Sequence, residues 1–395
     1  MNNTHFSHAG RSFNLIRYPA NHQHKSLQAW DSADELIMSH CDDTLLDDVR
    51  LMIFNDDFGA LGCWYAHNQP VWISDSWIAH RSLEENLNAN GLTCETGDEN
   101  RVTAPVTALT SVDKLPGVPT TVIMKIPRTL ALLEQQLSDL RDCVDANTQI
   151  VAAGKVKAVT KSVLALFEKY LGPTTTSLAK KKSRLIFCTP STPLPKVQAS
   201  AFPTRWSAKL ATGQTISVVN HANVFSRQSL DIGARFMLEH MRVENTDSVI
   251  DLGCGNGILG LNALSMAPEC RVTFVDESFM ALASARQNVS DNFPDQLSQC
   301  RFEPSNCLEA LLHQPDAQAY TKVLCNPPFH QQNTITDHIA WQMFHDSREL
   351  LVTGGHLIVV ANRHLDYHVK LKRLFGGVKV LASQQKFVIL SAAKR

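Results

Sequence analysis

The chain has 395 residues, 44% of them hydrophobic and 19% charged, with a formal net charge of −1 and a pI near 7.0. Those values describe a globular protein of two ordinary domains, with room for a third. They exclude a bulk electrostatic pull toward nucleic acid, so any RNA or DNA contact has to come from local patches. The opening MNNTHFSHAGRSFNL lacks the apolar core of a signal peptide, and no run of about 18 apolar residues suggests a membrane span. Ten cysteines lie without CxxC pairs, which fits reduced thiols in a cytoplasmic protein and argues against a disulfide framework. The sixteen histidines include one HxxxH spacing, His364 and His368, with no CxxC pair to complete a ligand set, and no metal is expected.

In chain order, a helix is predicted over 28–41 and a strand over 50–55, followed by the glycine-bearing turn DDFGALG. Strand 71–74, helix 77–90, strand 120–126, helix 130–144, strand 148–153 and helix 155–171 complete the first half. Four prolines, Pro190, Pro193, Pro195 and Pro203, mark a stretch expected to be extended and exposed. Domains are therefore expected over 1–188 and 206–395, joined by a linker over 189–205. A hairpin of 206–210 with 215–219 opens the second half. Strands follow at 248–251, 272–276, 301–303, 322–326 and 356–361, and an edge hairpin at 378–382 and 387–390. Alternating strands and helices predict an α/β fold with a parallel sheet in each half.

The halves share landmarks. Asp75 and Asp276 each close a strand, and Ile126-Pro127 and Pro327-Pro328 each end a strand ahead of a helix. Asn55-Asp56-Asp57-Phe58-Gly59 takes the place of Asp251-Leu252-Gly253-Cys254-Gly255, and Lys125 stands where Asn326 does. A duplicated domain whose first copy kept the fold and lost the chemistry accounts for this. Two unrelated βαβ domains are the alternative, because the fold is common.

The second half carries the chemistry. Asp251-Leu252-Gly253-Cys254-Gly255-Asn256-Gly257 follows the apolar Val249-Ile250 and opens a helix at Ile258. Glycines there permit positive φ and close approach of a ligand, and the helix N-terminus offers free N–H groups. GNGILG also satisfies the GxGxxG dinucleotide fingerprint, and a tight turn without a ligand is the plain reading, so the loop signals a cofactor without choosing one. Asp276, at the end of the neighbouring strand, can bind a ribose diol or cap the helix from Ser278. Asn306 can read an adenine edge or serve as a turn residue.

Asn326-Pro327-Pro328-Phe329 narrows the choice. Hydride transfer needs no such loop, whereas methyl transfer to an exocyclic amine does. The amine lone pair is delocalised into the base, and acceptors at the Asn326 side chain and the Pro327 carbonyl would favour the pyramidal nitrogen of the transition state. Phe329 would stack on the ring. A strand-ending turn is the plain alternative.

DLGCGNG, FVDES and NPPF in that order resemble class I S-adenosylmethionine-dependent methyltransferases that act on amino groups. NHANVFSRQSLDIGARF, LCNPPFHQ and IVVANRHLDY resemble, more narrowly, the bacterial ribosomal RNA guanine-N2 methyltransferases, and the resemblance spans the whole chain. LALLEQQL and FEKYLGPTTT look closest to the large-subunit (23S) branch, with the small-subunit (16S) branch as the near alternative. The resemblance implies two tandem Rossmann-like methyltransferase domains, the first degenerate, and N2-methylguanosine in 23S rRNA as product. It places Asp251, Gly253, Gly255, Gly257, Asp276 and Asn306 at S-adenosylmethionine and Asn326, Pro327 and Phe329 at the guanine.

Phe225-Ser226 can close over the cofactor or base, or Phe225 can be a core residue. Lys155, Lys157, Lys161, Lys180, Lys181, Lys182 and Arg184 form the densest basic stretch and can bind phosphates or solvate a helix face. Arg363 and His364, with Lys370, Lys372 and Arg373, can flank the site on the RNA side. Tandem domains of one fold mimic a dimer, so a monomer is expected. The competing readings are an adenine-N6 or protein-glutamine methyltransferase, a non-catalytic RNA-binding assembly factor, and a dinucleotide-dependent oxidoreductase.

Overall fold

A computed structural model describes residues 3–20, 27–42, 49–95, 102–198, 200–315, 319–328 and 334–395, without the side chains of 334–337. The chain divides into two compact units, Met1–Ala201 and Phe202–Arg395.

The first unit opens with a two-stranded hairpin, β1 (His5–His8) and β2 (Arg11–Asn14), and helix α1 (Ser32–Cys41). Then come β3 (Leu51–Phe54), α2 (Ala60–Trp64), β4 (Val71–Ser74), α3 (Trp77–Ala89), β5 (Thr107–Thr110), β6 (Thr121–Lys125) and α4 (Leu130–Arg141). β7 (Gln149–Lys155), α5 (Lys161–Tyr170), β8 (Thr174–Thr176) and β9 (Ser183–Cys188) close the unit. The sheet order is β5-β4-β3-β6-β7-β9-β8, with β8 and β9 contributing the antiparallel pairings. β3 is buried at every position because helices cover both faces of the sheet. Its side chains alternate between two cores, Leu51 and Ile53 in one and Met52 and Phe54 in the other.

The second unit repeats this plan. Hairpin β10 (Thr204–Lys209) and β11 (Thr215–Asn220) is followed by α6 (Ile232–His240), β12 (Ser248–Leu252), α7 (Ile258–Met266), β13 (Arg271–Asp276) and α8 (Phe279–Asn292). β14 (Cys300–Pro304), α9 (Glu309–Leu312), β15 (Tyr320–Cys325), α10 (Thr334–Leu350), β16 (Leu351–Asn362), α11 (Tyr367–Phe375), β17 (Lys379–Ser383) and β18 (Phe387–Ala393) complete it. The order β14-β13-β12-β15-β16-β18-β17 matches the first sheet strand for strand. In each sheet the winding direction reverses beside the first long strand, between β3 and β6 or between β12 and β15, where open α/β sheets place their ligands.

The repetition reaches single side chains. On α3, Asn86 accepts from Ile16 N–H (2.8 Å) and donates to the carbonyls of Ile16 and Phe58. On α8, Asn288 accepts from Val219 N–H (2.6 Å) and donates to the carbonyls of Val219 and Asn256. One turn later, Asn90 and Asn292 clasp Asn14 and Ser217 in the same way. Each pair fastens the hairpin and the loop after the first long strand to one helix. Two domains of separate origin have no reason to share such a device, so the duplication reading holds.

Strand register and sheet face fix the alignment between the halves. Phe54 pairs with Ile73 and Met124 as Leu252 pairs with Val275 and Cys325, and each set faces the corresponding core of its unit. Lys125 therefore stands in the place of Asn326, as expected, whereas Ser74 rather than Asp75 stands at Asp276. Gly59, the N-cap of α2, matches Gly257, the N-cap of α7, so the loop after β3 is shifted by two residues from its expected match. Two further expectations change. The helix expected over 155–171 begins at Lys161, because Lys155 still pairs with Ser183 in the sheet and Thr160 caps α5 by accepting from Val163 N–H (3.3 Å). The proline-rich stretch is irregular but not fully exposed. Pro190 is buried, Leu194 and Val197 pack on the first unit's core, and Arg141 donates to the Pro195 carbonyl (2.6 Å).

Candidate active site

The site grows from the carboxyl end of β12. Gly253 (φ 67°) and Gly255 (φ 54°) turn the chain in a left-handed conformation that favours glycine. The Gly253 and Cys254 amides both donate to the Val275 carbonyl, at 2.9 and 3.0 Å, which pins the loop to β13. Gly260 lets α7 lie directly on that strand, since a Cβ there would come within 2.2 Å of the Phe274 ring.

Two carboxylates organise the loop. Asp251 is 1% exposed; its Oδ2 accepts from Gly260 N–H (2.8 Å), and its buried Oδ1 has no hydrogen-bond partner among the described residues. Burial, with Asp276 nearby, pushes its carboxyl up to about 8. Asp276 accepts from Gly255 N–H and Ser278 N–H, both at 2.9 Å, and burial raises its pKa as well. Ser278 itself caps α8 through Ala281 N–H.

Asn326 follows the last residue of β15. Its Nδ2 donates to Asp231 Oδ2 (3.2 Å), and its buried Oδ1 has no partner among the described residues. This amide orientation is enforced, because the reverse would set two oxygens against each other. Asp231 is the N-cap of α6 and also accepts from Ala234 N–H (2.9 Å). Gly233 keeps the corner open, since a Cβ there would lie 3.1 Å from Asp231 Oδ2 and 3.4 Å from the Phe387 ring.

Phe225, Asp231, Asp251, Gly253, Gly255, Asp276 and Asn326 thus line one pocket of about 730 Å³ of open space. Phe225 is 54% exposed, not a core residue. Other expected residues lie elsewhere. Gly257 (φ 83°) is the N-cap of α7 and packs on Ala285 and Phe274. Asn306 is buried outside the lining and donates to Glu309 Oε2 (3.2 Å). Pro327 is buried, and Phe329 lies outside the described residues. Arg363 is exposed in a short turn after β16, off the lining. Lys180, Lys181 and Lys182 are exposed in the β8–β9 turn of the first unit, where Lys181 meets Glu35 (2.5 Å). Asp231 and Gly233 were not singled out from the sequence. The available signal was an Asp just ahead of a short apolar-periodic run, the mark of a helix start.

The first unit handles the same corner differently. Gly62 N–H donates to Asp56 Oδ2 (2.8 Å) as Gly260 does to Asp251, but Asp56 sits in the loop rather than the strand. Lys125, 8% exposed, reaches Asp34 (2.9 Å), Asp31 (3.7 Å) and Asp57 (3.8 Å). Burial works against its charge, but Asp34, Asp57 and Asp31 outweigh burial and hold its pKa up. Asp31 caps α1 as Asp231 caps α6. The elements that frame an open pocket in the second unit are here drawn together by an ionic cluster.

Among the described residues, no cluster of His, Cys, Asp and Glu could hold a metal ion, and no helix is long and apolar enough to cross a membrane. The sheet order, the glycine loop, the acidic strand end and the Asn after β15 define a class I S-adenosylmethionine-dependent methyltransferase, and residues 215–391 match the methyltransferase small domain family. Residues 3–192 match the RLMG N-terminal domain family. The chain is 60% identical to the ribosomal RNA large subunit methyltransferase G of Alteromonas mediterranea, with 100% of each covered. It is 49% identical to the protein of that name from Klebsiella pneumoniae, over 98% of this chain and 97% of the other. The chain belongs to the ribosomal RNA large subunit methyltransferase G family. A solved 16S rRNA N2 G1207 methyltransferase of T. thermophilus, in complex with AdoMet and guanosine, shares the fold at a TM-score of 0.74 and 19% identity, covering 99% of this chain and 98% of that one.

Proposed function

We propose that the chain transfers the methyl group of S-adenosylmethionine to the exocyclic N2 amine of one guanine in 23S rRNA, giving N2-methylguanosine. The observation that carries this reading is the buried, unpartnered Oδ1 of Asn326, whose amide is held in one orientation by Asp231. An acceptor without a donor in the folded chain is costly unless a ligand supplies one, and an exocyclic amine does. The cofactor supplies an electrophilic methyl on a sulfonium. The unpartnered Asp251 Oδ1 suits a cationic ammonium group, and Asp276 with the Gly253–Gly255 backbone suits a ribose.

Asn326 Oδ1 would accept one N2–H, shift electron density onto the nitrogen and stabilise the charge that develops as the methyl arrives. Phe225, at the pocket mouth, would cover the base. Lys180, Lys181 and Lys182 supply phosphate contacts in the first unit. The protein works as a cytoplasmic monomer with one active site, in the second unit.

Labelled methyl transfer to deproteinised rRNA from cells lacking this chain, followed by nucleoside analysis, tests the reading. N2-methylguanosine confined to 23S rRNA is the expected product. Methyladenosine, methylated glutamine in protein, or label in 16S rRNA would overturn it.

A further inference from the structure

We propose that Asp231 determines base specificity by accepting the N1–H of the target guanine, beside the N2 amine taken by Asn326. The inference rests on the guanine reading above and names the residue that enforces it. Both hydrogen bonds to Asp231, from Ala234 N–H and Asn326 Nδ2, fall on Oδ2. Oδ1 has no hydrogen-bond partner among the described residues, and Asp231 is half-buried in the pocket wall.

The pocket wall therefore carries two acceptors on one hydrogen-bonded pair of residues, Asn326 Oδ1 and Asp231 Oδ1. Guanine carries two adjacent donors on its Watson–Crick edge, N1–H and the N2 amine. Adenine places a lone pair at N1 beside its amine, and a carboxylate repels it. An extruded base is read on that edge. Gly233 serves the same end, since a Cβ there would stand 3.6 Å from Asn326 Oδ1 and 3.1 Å from Asp231 Oδ2. The first unit supplies the contrast: Asp31 caps α1 as Asp231 caps α6, but Lys125 lies 3.7 Å from its capping Oδ1 and Lys155 lies 3.7 Å from its Oδ2. There both carboxylate oxygens face lysines of the same unit, which leaves no free acceptor for a base.

The test uses the full chain and an RNA fragment carrying either guanine or 2-aminopurine at the methylated position. 2-Aminopurine keeps the reacting amine and has a lone pair at N1. Wild type is expected to favour guanine by at least about ten-fold in kcat/KM, the discrimination of one well-placed polar contact. D231N keeps one oxygen to accept from Ala234 and Asn326 and turns an NH2 toward the base. It is expected to raise the 2-aminopurine-to-guanine ratio by about ten-fold or more, leaving the Kd for S-adenosylmethionine within about three-fold. A merely structural role would lower both substrates in the same proportion, and that result overturns the proposal. So does a wild-type enzyme that methylates both bases equally well, a measurement that stands even if D231N fails to fold. Wild type that methylates neither base overturns the guanine reading itself and this inference with it.

Discussion

Asn86 and Asn288 hold equivalent loops with equivalent bonds, and the loop under Asn288 lines an open pocket. Asn288 is fully buried, and truncation to Ala orphans the Val219 N–H and the Val219 and Asn256 carbonyls. Asn288→Ala is expected to destabilise the second unit by about 3 kcal/mol and to weaken cofactor binding as the glycine loop loosens. Asn86→Ala is expected to cost the first unit a similar amount and to leave cofactor affinity unchanged. Denaturant titration together with calorimetric binding of S-adenosylhomocysteine separates the two outcomes.

Asn326→Ala removes the acceptor and leaves the cofactor-side carboxylates in place. A loss in kcat of about a hundred-fold is expected, as for removal of a transition-state hydrogen-bonding partner. The Kd for S-adenosylmethionine should stay within a few-fold. A rate within a few-fold of wild type would refute the role given to this side chain.

Asp251 sets a pH dependence. Burial raises its carboxyl to about 8 in the free protein, so below that pH the ligand-free site holds a proton there. A ligand ammonium favours the carboxylate, so affinity for S-adenosylmethionine should rise as pH increases toward about 8, with proton release on binding. Calorimetry in buffers of different ionisation heat measures the release, and D251N should remove Asp251's share of it. For folding the sign is opposite. The native state binds the extra proton between the unfolded value of 3.8 and about 8, so Asp251 makes the ligand-free chain less stable as pH rises through that window.

Lys125→Met leaves Asp34, buried beside Asp31 and Asp57, without its cation. The expected cost is about 3 kcal/mol, seen as an earlier unfolding transition. Met at 125 with Leu at 34 should recover much of the loss, because both charges then go together. Cofactor affinity should not change in either variant.

Charge reversal of Lys180, Lys181 and Lys182 should weaken RNA binding at low salt and flatten its salt dependence. Each phosphate that is no longer neutralised makes the slope of log K against log salt shallower by about 0.7 to 0.9. An unchanged slope would remove this turn from the RNA footprint.

Much of the fold is written in local pattern. The apolar runs that became β3, β6, β12 and β15 are buried on both faces, and such runs stand out in any sequence. β1 and β2 escaped because only Phe6 of their residues is buried. β8 is three threonines, and α6 begins Ile-Gly, which blurs its period. At the site, Asp251, Gly253, Gly255, Asp276 and Asn326 were legible because motif chemistry is contiguous. Asp231 was not, since its bond to Asn326 spans 95 residues. Asn306 lies off the pocket lining because its side chain turns toward Glu309, which a strand-end position alone does not reveal.

The ionic cluster at Lys125 also bears on history. Restoring a pocket in the first unit would require both removing Lys125 and neutralising Asp34, because the loop after β3 already matches its counterpart in length. Either change alone strands a buried charge, so each single substitution is expected to lower stability. The ionic cluster therefore works as a ratchet that opposes a stepwise return of the first copy to an open pocket.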